Sequence, residues 1–302
     1  IMTTIIFGIL EEGLVYAIMA LGVYITYKIL DFPDLSVDGT FPLGAAVTAA
    51  GIANGLPFIG TISPVAALFI SFAVGALAGC ITGLIHVKLK VRDLLSGIIV
   101  MTAINLKITG KANLPIFSKE TIFSNSFLSA HVPEAASPFI VTIILFVIVL
   151  VCKVLLDAYL QTRSGYLLRA VGDNDVLVTS LAKDKGLVKI VGLAIANGFA
   201  ALAGSVYCQQ KGFFEISIGT GTMVIGLANV IIGTQLLKRV GFIRSTTAVI
   251  IGSIVYKACV SIALLLNDLH IGGLDISIPV TASDLKLITS VLFLIILVVS
   301  PS

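Results

Sequence analysis

The chain has 302 residues, of which 58% are hydrophobic and 12% charged, with a formal net charge of +3 and a mean hydropathy of +1.11. A soluble domain carries about 25% charged residues, so half that share leaves too little polar surface to cover a water-soluble globule. Disorder is excluded as well, since it needs low hydrophobicity and high net charge. The class that remains is an all-α polytopic membrane protein, and so mild a charge gives no reason to expect nucleic acid as a partner.

A membrane helix needs about 20 mostly apolar residues. In chain order the apolar runs predict spans at roughly 5–29, 39–57, 64–87, 94–110, 138–157, 188–208, 218–234, 243–266 and 285–300, about nine crossings within a range of 8–10. The first run carries Glu11 and Glu12 and lacks the basic leader of a cleavable signal peptide. Two readings of these acids stay open. Either residues 1–10 lie along the membrane surface with the acids at the outer interface, or one acid faces a water-filled cavity. Lys257, inside the eighth run, is read as a snorkelling side chain.

Between the first two runs lies the segment Leu30–Gly44, which holds Asp31, Asp34, Ser36, Asp38 and Thr40 together with Pro33 and Pro42. The prolines deny regular helical hydrogen bonds and Gly39 permits unusual backbone angles, so an unwound segment is expected at membrane depth. Ionisable residues there mark a pathway or a site by default. The alternative is a plain loop in which Asp38 caps the helix beginning at Gly39 or Thr40. A second interruption, Glu215–Gly226, interleaves Gly219, Gly221 and Gly226 with Thr220 and Thr222. Its glycines allow a break or close packing, and its threonines can satisfy freed backbone groups. Both short runs are therefore candidates for broken or re-entrant helices. The two breaks cross the membrane in opposite senses, as an inverted repeat would, and such repeats place transport paths at their shared interface.

The basic residues set the orientation. Lys28, Lys88, Lys90, Arg92, Lys153, Arg163, Arg169, Lys183, Lys185, Lys189, Lys238, Arg239 and Arg244, 13 of the 19, fall on one side of the predicted spans, which the positive-inside rule makes cytoplasmic. Residues 111–137 and 267–284 are then extracytoplasmic segments. On the cytoplasmic side, 158–188 forms the longest polar segment. In it Gly165 and Gly172 separate short helical pieces, and Asp173 or Asn174 is a good N-cap for a helix through Leu177 and Leu181 to about Lys185, with Gly186 as its stop. That helix either lies on lipid or docks into the groove of a soluble partner.

The chain contains no phosphate-binding loop, no zinc-protease motif and no nucleophile elbow. Cys80, Cys152, Cys208 and Cys259 lie unpaired in apolar runs and read as core residues, and no metal-ligand spacing is present. Any uphill transport must draw on an ion gradient or on a separate ATPase.

Three of these stretches, taken in order, resemble the permease subunits of bacterial ABC importers for branched-chain amino acids and ribose. Asp34-Leu35-Ser36-Val37 matches that family's D-L-S-V-G segment, with Asp38 intruding before Gly39. Thr162-Arg163-Ser164-Gly165 followed by Arg169-Ala170-Val171-Gly172-Asp173-Asn174 matches its cytoplasmic segment, and Gly219–Gly221 with Ile232-Gly233 its later glycine segment. The phrase LDFPDLSVDGTFPLGAAV is most similar to a branch paired with lipoprotein-type binding proteins for aromatic amino acids. The resemblance implies a single permease domain over 1–302 in the bacterial inner membrane that performs no chemistry. It implies a second permease copy, an extracytoplasmic binding protein and two ATPase subunits, which hold ATP and Mg so that no cofactor sits on this chain. By the same resemblance Asp34, Ser36, Asp38, Thr40, Gly219, Thr220, Gly221 and Thr222 line or gate the path. Arg163, Gly165, Arg169, Gly172, Asp173, Asn174, Leu177 and Leu181 form the ATPase-coupling segment. The competing class is an ion-coupled transporter or channel using Asp34, Asp38 and Glu11.

Overall fold

A computed structural model describes residues 2–31, 34–56, 59–89, 113–131, 133, 137–173, 184–238, 243–265, 291 and 294–295. The expected span 94–110, the expected span 285–300 apart from residues 291 and 294–295, the outer segment 267–284, and Asn174, Leu177 and Leu181 of the expected coupling helix lie outside the described residues.

The described chain is helical: α1 (Met2–Tyr24, ending in a π-helical turn Ile25–Ile29), α2 (Val37–Ala53), α3 (Pro64–Leu89), α4 (Ser126–His131), α5 (Ser137–Leu160), α6 (Arg163–Asp173), α7 (Lys185–Lys211), α8 (Thr222–Leu236) and α9 (Ser245–Leu265). Six described segments are long and apolar enough to cross a membrane: Thr3–Ile29, Pro64–Leu89, Phe139–Leu160, Lys185–Lys211, Ile216–Leu236 and Ser245–Ile262. Val37–Ala53 is a shorter apolar helix. Residues 3–10 continue α1 as one helix rather than lying along a surface. Two three-residue strands, β1 (Asn113–Pro115) and β2 (Phe213–Glu215), pair antiparallel with Leu114 opposite Phe214. Nothing in the apolar runs of the sequence signals this ribbon. Leu114, Ile116 and Phe214 seat it on Ala45, Ala46 and Ala49 of α2.

At one end of the bundle α1, α3 and α5 finish while α7 and α9 begin. Gly172 of α6 lies against the Ile29 carbonyl, Gly186 against Val87, and Arg244 pairs with Asp157 at 3.3 Å. Lys28, Lys88, Arg163, Arg169, Lys185 and Arg244 gather there, so this is the basic end. Glu12, Lys211, Lys257 and the β-ribbon mark the far end.

The architecture is two interlocked units of opposite sense, α1-α2-α3 and α7-α8-α9. α7 packs on α2 and α3, and α1 packs reciprocally on α8 and α9. Thr40 with Asn197, Gly44 with Ala201, and Thr48 with Ser205 pair at matching four-residue intervals, so α2 runs parallel to α7. Asn229 with Ser253 and Gly233 with Ala248 make α8 antiparallel to α9. α2 therefore leaves the bundle centre toward the far end, and α8 leaves it toward the basic end. This is the inverted arrangement the two breaks led us to expect.

Small residues make the contacts tight, as expected where lipid supplies no hydrophobic drive between helices. Gly75, Gly79 and Gly83 recur every four residues on α3, where a β-carbon at Gly79 would overlap the Leu193 carbonyl oxygen of α7. The opposite faces of α3 and α5 expose Phe69, Leu77, Ile81, Ile143, Phe146 and Val154, an apolar surface suited to lipid. The four cysteines are free; Cys152 and Cys208 are buried, in keeping with their reading as core residues, while Cys80 and Cys259 are half-buried.

Candidate functional site: the junction of two broken helices

The first break is short. After the π-helical turn the chain reverses through Asp31, whose φ of 50° is a left-handed conformation that aspartate tolerates. α2 begins at Val37. Pro42 therefore sits inside a helix, not in an unwound loop as its sequence position implied. Lacking an N–H, Pro42 frees the carbonyl of Asp38 from the helical ladder. Gly219 of the second break packs against that carbonyl and against the Pro42 ring.

Asp34, Ser36 and Thr40 are all buried, and they converge on Asn197, one residue from the midpoint of α7. Asp34 Oδ1 accepts from the Ser36 N–H at 2.9 Å. Asp34 Oδ2 accepts from Asn197 Nδ2 at 2.8 Å and from the Ser36 hydroxyl at 2.6 Å. Asn197 Nδ2 also donates to the Leu193 carbonyl at 2.9 Å, and Asn197 Oδ1 accepts from the Thr40 hydroxyl at 2.6 Å. Each hydroxyl has one proton. If Ser36 donates to Asp34 and Thr40 donates to Asn197, every donor in this knot is used. Polar groups held this way at membrane depth avoid the full desolvation cost of an unpaired group, about 1–3 kcal/mol each.

The second break runs from Gly212 (φ 79°) through β2 and a 3-10 turn, Ile216–Gly219, to Gly221 (φ 83°), where α8 starts. Gly221 has no side chain to cap the new helix, so its first N–H groups need an acceptor from elsewhere. Asp38 of α2 supplies it. Asp38 Oδ1 accepts from the Met223 N–H at 2.6 Å and the Thr222 hydroxyl at 2.9 Å, and Oδ2 from the Gly221 N–H at 3.3 Å. The reading of Asp38 as the cap of its own helix is thus corrected: it lies in the first turn of α2 and caps α8, in the other unit. A carboxylate at a helix N-terminus also complements the helix dipole.

Of the eight path residues named from sequence, seven belong to this junction: Asp34, Ser36 and Thr40 in the knot, Asp38, Gly221 and Thr222 in the cap, and Gly219 at the contact. Thr220 is exposed beside them, with Ser217. Asn197, the hub, was missed. The available signal was an amide at the centre of an otherwise apolar predicted span. A second buried polar layer was missed for the same reason: Thr48 Oγ1 lies 2.6 Å from Ser205 Oγ and 3.1 Å from Ser71 Oγ, which joins α2, α7 and α3. Lys257 also departs from expectation, for it pairs with Glu12 instead of snorkelling alone. Among the described residues, no three His, Cys, Asp or Glu side chains come together to hold a metal ion.

In the described part of the cytoplasmic segment α6 runs unbroken through Gly165 and Gly172, where glycine-separated pieces are expected from the sequence. Gly165 and Gly172 both lie inside it and allow close approach, to Leu160 and to the Ile29 carbonyl respectively. Leu168 and Val171 face inward, while Arg163, Tyr166, Arg169 and Asp173 face out. Gly186 is not a helix stop, because it sits in the first turn of α7 and donates its N–H to the capping Asp184 at 2.8 Å.

Residues 5–300 match the family described as branched-chain amino acid transport system / permease component. The tyrosine transport system permease protein of Clostridioides difficile is 41% identical over 292 residues, which cover 96% of this chain and 89% of that protein. The ribose import permease protein of Haemophilus influenzae is 26% identical over 254 residues, 82% of this chain and 75% of that protein. No solved structure matches. With its crossing helices and their central junction, the chain belongs to the family of branched-chain amino acid transport system permease components, and it is a multi-pass permease subunit of the bacterial inner membrane.

Proposed function

We propose that this chain forms the membrane path of an ATP-driven importer for amino acids of the tyrosine type. It works as two copies, with separate ATP-hydrolysing subunits at the basic end and an extracytoplasmic binding protein at the far end. The observation that carries the path assignment is the Asp38 cap, a carboxylate on one broken helix that holds the start of the other at the centre of the bundle. Separating α2 from α8 breaks three hydrogen bonds at one side chain. The junction therefore has a joined arrangement and an open one, and a partner that binds the two differently shifts their populations. α6 is placed to transmit such a bias, because its Gly172 presses directly on the π-helical turn that leads into the first break. The 41% identity to a tyrosine transport permease supports the solute class.

The test is purification of the tagged chain from native membranes in mild detergent, mass spectrometry of what accompanies it, and amino acid uptake by the reconstituted assembly. Co-purification of an ATPase, ATP-dependent uptake, and loss of substrate-stimulated ATP hydrolysis in Asp173→Ala and Arg169→Ala are expected. Uptake by the chain alone under an ion gradient would replace this reading with the ion-coupled one.

A further inference from the structure

Away from the junction, α1, α7 and α9 bring a second polar group together inside spans long enough to cross the membrane. Glu12 pairs with Lys211 at 2.7 Å and with Lys257, and all three side chains are only partly covered, at 27%, 32% and 25% exposure. Each lysine also stands over an aromatic face, Lys211 over Tyr207 at 6.0 Å and Lys257 over Tyr16 at 5.7 Å. The two tyrosines meet edge to face at 6.3 Å, and Tyr16 stacks on Phe41 of α2 at 5.8 Å and 7°. Phe41 follows Thr40 of the buried knot. A cavity of about 80 Å³ opens beside Tyr16 and Lys257, with Ser253 at its wall and Ile225, one turn into α8, on its other side. Next to it Asn229 donates to Ser253, while the Asn229 amide oxygen has no hydrogen-bond partner among the described residues.

From this geometry we infer that Glu12, Lys211 and Lys257, with the rings of Tyr16 and Tyr207, form a station at the far-end mouth of the path for a zwitterionic amino acid with an aromatic side chain. Partly buried charges at membrane depth are costly, and when the solute is absent they pair with one another. An α-amino acid offers each sign an exchange partner: its carboxylate takes one lysine, its ammonium takes the Glu12 oxygen that this lysine leaves, and the other lysine keeps the second Glu12 oxygen, so every charge has a partner during entry. Its ring finds two aromatic faces one helical turn from the Asp38 junction. A sugar carries neither charge and gains nothing from the lysines and the glutamate. The inference rests on the amino acid reading above and adds to it where on this chain the solute is held.

The test is saturation-transfer NMR on the full chain in nanodiscs, with L-phenylalanine as the more soluble aromatic probe. Transfer to the phenylalanine ring is expected. It should fall at least about threefold in Glu12→Gln and Lys257→Met and stay unchanged in Lys189→Met at the basic end. Phenethylamine and 3-phenylpropionate, each lacking one charge, should show less transfer than phenylalanine. Equal signals from the variants, equal signals from the single-charge analogues, or no signal from the unaltered chain would overturn the station. Should a single variant unfold by leaving a charge unpaired, the triple variant Glu12→Gln, Lys211→Gln, Lys257→Gln removes all three charges together, and the same loss is expected. Amino acid uptake by the assembled importer separates the two readings. Uptake without a station signal sinks the station alone, and absence of uptake sinks the amino acid reading.

Discussion

The two short helices begin in the same layer of the bundle but are started by different means. α2 follows a break that its own unit and α7 satisfy: Asp34 accepts from the Ser36 N–H and hydroxyl, and Asn197 ties Asp34 and Thr40 to the middle of α7. α8 follows a glycine break with no local cap, and its start depends on Asp38 from the other unit. Both tie the two units together, the first through a fully buried knot against α7 and the second through one carboxylate at the start of α8, so the second depends on a single side chain. A carboxylate that only stabilised its own helix would have no such consequence.

The largest effect is expected where backbone meets backbone. A β-carbon at Gly219 would overlap the Asp38 carbonyl oxygen and crowd the Pro42 ring, so Gly219→Val should force the units apart. Folded, membrane-extracted protein should fall severalfold, as measured by size-exclusion chromatography. Full recovery of monodisperse protein would show that the contact is not tight.

Removing the hub comes next. Asn197→Ala strips one donor from buried Asp34 and the acceptor from Thr40, and leaving a buried polar group without its partner costs about 1–3 kcal/mol. A clear drop in thermal stability is expected, and a melting temperature equal to that of the unaltered chain would remove Asn197 from its central place. Asp38→Asn should cost less stability, because an amide oxygen still accepts at the α8 N-terminus, yet it should change transport more than Asn197→Ala does relative to folded protein. Uptake per folded molecule compares them, and the reverse order would mean that the cap is only structural. The smallest effect belongs to Thr48→Val, which removes two neutral interhelical hydroxyl contacts, each worth about 0.6 kcal/mol in a membrane bundle. A loss of more than about 2 kcal/mol would mark that hydroxyl layer as something beyond packing.

Much of this fold is legible in the sequence because the bilayer imposes length and polarity on each crossing element. The predicted runs 64–87, 188–208 and 218–234 fall within the observed segments Pro64–Leu89, Lys185–Lys211 and Ile216–Leu236. Both breaks are legible too, since glycine, proline and acids inside apolar sequence have few other uses. What sequence leaves open is where each polar side chain reaches. From sequence Asp38 reads as a path residue or as a cap for its own helix, and only its hydrogen bonds to Gly221, Thr222 and Met223 show that it caps α8. Asn197 gives only a faint signal, because one amide at the centre of an apolar span has no spacing to mark its partners. The β-ribbon is silent because each strand has three residues, too few for any periodicity. Gly165 and Gly172 suggest interruption by propensity, but close approach to neighbouring backbone explains them better.

The central claim is that the junction of the two breaks borders the transport path, and thiol accessibility at Thr220 tests it most directly. Thr220 is exposed beside the Asp38 cap, while Thr40 is buried in the knot. In a background lacking the four native cysteines, Thr220→Cys should react with a small charged thiol reagent from the aqueous phase, at a rate that changes when nucleotide is added to the assembled importer. A rate as low in every nucleotide state as that of a lipid-facing Leu77→Cys control would contradict the account.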